Sequence, residues 1–414
     1  MQASVCVRCK GSNPRICDRE FCPIYSSHSV KQKILEKIDK DFYGCSPPSV
    51  FVGSKLKYPQ VNIGILSPLA GKEEAWKYDS VNYWYENKCT IQDVVQYRSG
   101  LINSRFQAEV FDARNSGKLL ELTQEVGMSL KCVDLEVNLK KKLRGRTNFN
   151  SVVLPFGPTG EVKDVKAQEN IKVNNKVDKV FSDKDMKAVE GVKYLWKSGL
   201  DEYQLTQLLS IGSMGLGKNR KLVSTRSSIT AVDDMLGKEI IEEVKNFPLL
   251  NNYILFYGNY FGNYFLIMFF PSNWGFDLFE GYMPRSIWNP SESIVVENDY
   301  EGFYGRKEYA FNTAGGYYAN RFPVLEFLKS IKRQGGVFSF RAETPEYSAP
   351  LGVFVVRQGV KKTLSGRFER FDSSEKMLLR GKEIIWNDFK YDLSECYAKS
   401  RLLKSFEQKK LFEY

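Results

Sequence analysis

The sequence predicts an α+β (mixed α/β) protein of several domains, led by a small four-cysteine module. Three observations predict it. Strand-type alternation and helix-type periodicity both occur, without a regular βα repeat. Four of the eight cysteines, Cys6, Cys9, Cys17 and Cys22, fall near the N-terminus. The 414-residue chain is 43% hydrophobic and 26% charged, which allows a large buried core and excludes global disorder.

Along the chain, Val30, Ile34, Leu35 and Ile38 share one face and predict a helix from Ser29. The turn Ser46-Pro47-Pro48-Ser49 precedes a short strand, Val50 to Val52, and Val61 to Ile65 reads as another. Lys131 to Leu139 alternates: Val133, Leu135, Val137 and Leu139 face one way, Asp134, Glu136 and Asn138 the other. That is the signature of a half-buried strand.

Ser182-Asp183-Lys184-Asp185 has capping-box spacing before a helix carrying Met186, Val189, Val192, Leu195 and Trp196, with Gly199 as its stop. Glu202 to Ser210 reads as a second helix, followed by a basic glycine-rich loop from Gly212 to Lys221. A further helix is expected from Thr230, with Val232, Leu236, Ile240, Ile241 and Val244 apolar, ended by Pro248. Tyr253 to Phe261 and Tyr264 to Phe270 form a hairpin pattern around Gly262-Asn263, apolar enough for the middle of a sheet. A helix carrying Phe322, Leu325, Leu328 and Ile331 stops at Gly335-Gly336. Strands are expected at Val337 to Phe340 and Gly352 to Val356, then charged helices.

Composition excludes several chemistries. His28 is the one histidine, so multi-histidine metal sites are impossible and any imidazole base must be that residue. The most apolar stretch, Tyr264 to Phe270, is far shorter than the roughly 20 residues a membrane helix needs. No basic start with an apolar signal segment is visible, so a cytoplasmic location with reduced thiols is expected. The formal charge of +11 points weakly to an anionic partner, and its clustering matters more than its sum.

The cysteine spacing, C-x2-C, seven residues, then C-x4-C, suits one zinc ion held by Cys6, Cys9, Cys17 and Cys22. An iron–sulfur cluster uses the same donors. The module carries a charge near zero once its thiolates hold zinc, so stapling the fold is its first expected role and nucleic-acid contact its second. Cys45, Cys89, Cys132 and Cys396 read as small buried residues.

Two basic clusters stand out. One runs from Lys140 to Arg146. The other comprises Lys218, Arg220, Lys221 and Arg226 beside Gly215 and Gly217, a combination that lets backbone and cations approach phosphates. Asp233 and Asp234 are candidate Mg²⁺ ligands, although Thr230 and Asp233 also have capping-box spacing. Asp134, Glu136 and Lys140 resemble a nuclease pattern but occupy the wet face of a strand. Tyr300 to Arg321 mixes Tyr, Gly and Asn with Arg306, a composition able to stack on unpaired bases. In the last residues, Gln408, Leu411 and Tyr414 are three apart, with Phe412 beside them. In a tight 3₁₀-like turn Leu411 and Tyr414 form one apolar plug while Gln408 reaches a polar pocket.

The cysteine set, Ser46 to Gly53, Lys221 through Thr225-Arg226-Ser227-Ser228 to Asp234, Asp299-Tyr300-Glu301-Gly302 with Gly305-Arg306, and Asn312 to Ala319 together resemble the archaeal Nre family of DNA-repair proteins. The resemblance implies a zinc finger at 1–30, an N-terminal α/β domain at 31–290, a C-terminal domain at 291–406 and a clamp-binding tail at 407–414. It implies a role in the DNA-damage response, recruitment to the sliding clamp PCNA through a PIP-like motif, DNA as a further partner, no membrane and a nucleoid-associated location. It supplies no catalytic mechanism. The rival expectations are a Mg²⁺-dependent nuclease using Asp233 and Asp234, and an RNA-binding zinc-knuckle protein.

Overall fold

The computed structural model describes residues 22–53, 56–143 and 157–409, with backbone alone at Ile24 and residues 407–409. Cys6, Cys9, Cys17, Arg144, Arg146, Leu411, Phe412, Tyr414 and the Gln408 side chain lie outside the described residues. The chain divides into two compact units, and the division falls within one long helix between Leu236 and Gly237. Both units are α+β, each with a six-stranded mixed sheet.

The first unit contains α1 (Pro23–Lys37), β1 (Asp41–Ser46), β2 (Val50–Val52), β3 (Gln60–Ser67), α2 (Lys72–Ala75), α3 (Val81–Glu86), α4 (Ile91–Gly100) and β4 (Ile102–Glu109). It continues with α5 (Lys118–Met128), β5 (Val133–Leu139), β6 (Thr159–Ala167), α6 (Asn175–Ser182), α7 (Ala188–Lys197), α8 (Glu202–Ser210) and the first part of α9 (Thr225–Val244). Strand order is β1-β5-β6-β4-β3-β2, with β4 and β6 parallel. The alternation in β5 is realised: Val133, Leu135, Val137 and Leu139 are buried, and pack with Ile34, Ile38, Ile65, Ile102 and Val126. Each such side chain contributes roughly 1.5–3 kcal/mol of burial.

Helix starts differ from the expectation where a cap outranks periodicity. Helix α1 begins six residues before Ser29, because Pro23 suits the first turn and Cys22 Sγ accepts the Tyr25 N–H at 3.4 Å. Helix α9 begins five residues before Thr230, where Ser224 Oγ accepts the Ser227 N–H at 3.3 Å. The Thr230–Asp233 pair is therefore mid-helix and caps nothing. Ser182 closes α6 rather than opening α7, whose start is held by Glu190 Oε2 accepting the Lys187 N–H at 3.0 Å.

The second unit contains β7 (Tyr253–Tyr260), β8 (Asn263–Phe270), β9 (Gly275–Tyr282), β10 (Val295–Glu301), α10 (Gly315–Ser330), β11 (Gly336–Glu343), α11 (Phe354–Leu364), β12 (Phe368–Phe371), α12 (Ser374–Phe389), α13 (Ser394–Lys399) and α14 (Arg401–Lys409). Strand order is β10-β9-β11-β8-β7-β12, with β9 and β11 parallel. The β7–β8 hairpin turns through Phe261 and Gly262 at φ 50° and 69°. One strand expectation is corrected: residues 352–356 lead into α11. Their apolar, β-branched run favours a strand, but Val355, Val356 and Val360 are buried on a helix, and Gly359 lets that helix close on the Phe265 ring.

The second sheet has two unlike faces. Phe338, Phe340 and Ala342 of β11 join Met377, Ile384, Ile385, Leu393 and Leu402 in an apolar core. The opposite face of β11 carries Arg341 and Glu343. Arg341 donates to Glu280 at 2.7 Å, to Glu343 at 3.1 Å and to Asn263 Oδ1 at 2.6 Å, all buried. Arg321 of α10 pairs with Glu301 at 2.7 Å, and the Trp274 indole N–H donates to the same carboxylate at 3.3 Å. Among the described residues no helix is long and apolar enough to cross a membrane.

Candidate nucleic-acid interface

The basic glycine-rich loop of the first unit is firmly built. Gly212 at φ 70° and Gly215 at φ 108° adopt the left-handed backbone that favours glycine. Backbone bonds fasten the loop: Gly217 N–H to the Lys184 carbonyl at 2.7 Å, Leu222 N–H to Val110 at 2.8 Å and Val223 N–H to Ser210 at 3.0 Å. The start of α9 is held by the Val52 N–H, which donates to Thr225 Oγ1 at 3.0 Å. This joins two of the stretches that carry the family resemblance.

The four expected cations separate. Lys218, Lys221 and Arg226 are exposed. Arg220 is 2% exposed and points inward. Its guanidinium donates to the carbonyls of Gly215 at 2.9 Å, Asp183 at 2.9 Å and Val180 at 3.3 Å. It therefore braces the loop rather than facing a phosphate, and burial lowers its pKa. Arg306 belongs to the second unit and is likewise engaged. It donates to the carbonyls of Tyr300, Glu308 and Tyr309 at 2.8–3.2 Å and pairs with Asp299 at 2.9 Å.

The structure adds residues that spacing did not reveal. Lys184 and Lys187, read only as part of a cap and its helix, lie beside the loop and are exposed. Lys184 has its pKa lowered, first by burial and then by the Arg220 charge. Lys221 lies 5.5 Å from the Phe111 ring, Arg114 stacks over the same ring at 4.2 Å, and Tyr58 meets it edge-on. Lys184 lies 5.3 Å from the Phe181 ring. Cations and aromatic rings thus alternate on this surface, the combination that tracks a phosphate backbone and stacks on bases. Two neighbouring carboxylates are turned to backbone caps. Asp112 accepts the Glu109 N–H, and Asp183 Oδ1 accepts the N–H groups of Asp185 and Met186.

A pocket of about 290 Å³ opens at the loop. Buried Leu209 and Met214 form its floor, with Leu216, Val223, Ala188 and Gly215 on its walls. Exposed Lys187, Asn219 and Lys221 stand at its rim.

The remaining candidates do not assemble into a metal centre. Asp233 is fully buried in the middle of α9 and Asp234 is partly buried. Successive side chains leave a helix about 100° apart, so the two carboxylates do not share a face. Among the described residues no group of three or more His, Cys, Asp or Glu is arranged around a metal position. On the β5 face, Asp134 pairs with Lys72 at 3.1 Å, Glu136 accepts from Gln168 at 3.0 Å and Lys140 pairs with Glu161 at 2.6 Å. These are surface ion pairs and hydrogen bonds of a strand's wet face.

The molecule is thus a two-unit α+β protein whose first unit presents a basic, aromatic-interleaved surface. The chain belongs to the archaeal Nre family. Residues 16–289 match the family described as Archaeal Nre, N-terminal, and residues 301–414 match Archaeal Nre, C-terminal. It is 33% identical over 410 residues to a protein named DNA repair protein NreB of Archaeoglobus fulgidus, covering 99% of both chains. It is 36% identical over 383 residues to DNA repair protein NreA of the same organism, covering 92% of this chain and 94% of that one. DNA repair protein NreA of Haloferax volcanii is 34% identical over 344 residues, 82% of each chain. No solved structure matches the chain.

Proposed function

We propose that this chain is a DNA-repair factor that holds DNA on the basic face of its first unit and is recruited to the sliding clamp PCNA through Gln408, Leu411, Phe412 and Tyr414. The repair reading rests on the likeness, along nearly the whole length, to proteins named as DNA repair proteins. Contact with DNA is supported by one feature above all: Lys218, Lys221, Arg226, Lys184 and Lys187 are exposed around a rigid loop whose own arginine is buried to brace it. Phosphates would be met by these cations and by backbone approach at the glycines.

Cys6, Cys9, Cys17 and Cys22 are the proposed zinc ligands. Four sulfurs in two close pairs match zinc's tetrahedral preference. Cys22, half-buried at the start of α1, accepts the Tyr25 N–H with its sulfur. Zinc there would staple the segment before α1. The buried position of Asp233, with Asp234 partly buried on another face of α9, counts against the nuclease reading.

Two measurements on the full chain test the proposal. Clamp capture is compared between the full chain and one ending at residue 407. Retention by the full chain with at least tenfold loss on truncation is expected, roughly the effect of losing a peptide's main apolar anchors. Equal capture removes the tethering. Fluorescence anisotropy with DNA and with RNA of the same sequence is then run on the intact protein and on Lys221→Glu. Weakened DNA binding in the variant is expected, and a clear preference for RNA in the intact protein transfers the surface to the RNA-binding reading.

A further inference from the structure

We propose that the pocket under the glycine-rich loop receives a single unpaired nucleobase, drawn out of a DNA strand whose backbone crosses Lys187 and Lys221. This rests on the DNA reading above and names what that surface recognises: DNA with an unpaired or extrudable base.

Size points to one base. At about 290 Å³ the pocket is just below the roughly 300–1,000 Å³ of ordinary small-molecule sites, room for one flat ring system and too little for a whole nucleotide cofactor. Lining points the same way. Leu209 and Met214 give an apolar floor that is already buried, so a ring face is covered without moving the core. Methionine sulfur is polarisable and suits an aromatic face. Asn219, exposed at the rim in the short turn Gly217–Asn219, offers an amide donor and acceptor to the edge of a base.

Charge fixes the orientation. Lys187 and Lys221 line the opening and attract the phosphates on either side of an extruded nucleotide, while the floor carries no charge to oppose a neutral base. The rim is positioned by the loop's own bracing: Arg220 holds the Gly215 carbonyl, and the Gly217 N–H bonds the Lys184 carbonyl. A site formed in advance does not have to be ordered on binding. Extrusion costs least where a base is mismatched or already unpaired. The pocket therefore converts a small difference in pairing energy into selective binding.

The test uses the full chain and two synthetic duplexes of one sequence, one fully paired and one with 2-aminopurine opposite an abasic position. The intact protein is expected to bind the second at least roughly fivefold tighter and to change the 2-aminopurine emission on binding. Ala188→Phe, which fills the wall, is expected to bring the affinity ratio near one and to abolish the emission change. Asn219→Ala, an exposed change that leaves the pocket's packing in place, is expected to reduce the ratio by several fold and serves if the first variant fails to fold. Intact protein that binds both duplexes equally, with emission unaltered, overturns the pocket while leaving DNA contact standing. A preference that survives both variants also overturns it. Binding to neither duplex overturns the DNA reading and this inference together.

Discussion

Arg220 and Lys221 are adjacent cations with opposite fates. The planar fork of Arg220 binds three carbonyls at once, which a lysine ammonium does not replicate with the same geometry. Lys221 instead stays exposed near the Phe111 ring. In the second unit the same logic governs Arg341 between Glu280 and Glu343. Burial, opposed by Arg341 and reinforced by Glu280, pushes the Glu343 carboxyl up to about 7. The folded protein then binds a proton that the unfolded chain releases, so this group's contribution is full below the ordinary glutamate range and is lost as pH rises through about 7. Denaturant titrations between pH 4.5 and 7 should show stability falling with pH by on the order of one proton's slope, and Glu343→Gln should remove that slope. An unchanged slope in the variant assigns the proton elsewhere.

At the element scale, turn chemistry was legible and long-range packing was not. The β7–β8 hairpin follows from its apolar runs and Gly262, and β8 lies within the sheet as its continuous apolar pattern requires. A Cβ on Gly262 would sit 2.4 Å from the Tyr347 backbone nitrogen, at a φ of 69°. Gly262→Ala should therefore lower stability by more than about 1 kcal/mol, since left-handed strain and a backbone clash add, with thermal unfolding as the measurement. The alternation of β5 and the span of α8 were equally readable. The segment 352–356 misled because β-branched residues score as strand, and its helix is stabilised by contacts from distant strands. The start of α9 misled because an apolar stripe begins only after the cap has already set the helix.

For the whole molecule, the formal charge of +11 is modest, and its function depends on where the exposed cations stand. Counterion release makes DNA affinity fall linearly with salt on logarithmic axes. Lys221→Gln and Arg226→Gln should each reduce that slope by about one, because each would remove one phosphate contact. Arg220→Gln should instead lower the melting temperature, because its guanidinium is part of the loop's bracing. A variant of Lys221 with an unaltered salt slope would place the DNA path elsewhere.

Local pattern alone determined the mixed α+β class, the family, the basic loop and the strands β2, β3, β5, β7, β8 and β11, because alternation, turn residues and ordered short motifs are properties of neighbours in sequence. Tertiary structure alone decided which cations face solvent. Arg220 and Arg306 turn to backbone carbonyls, while Lys187 joins Lys221 at a pocket floored by Leu209 and Met214, and Lys184 lies beside the loop at Gly217. The reason is physical: exposure and partnership depend on what other segments bring to the same place, and a charge run in sequence carries no record of that.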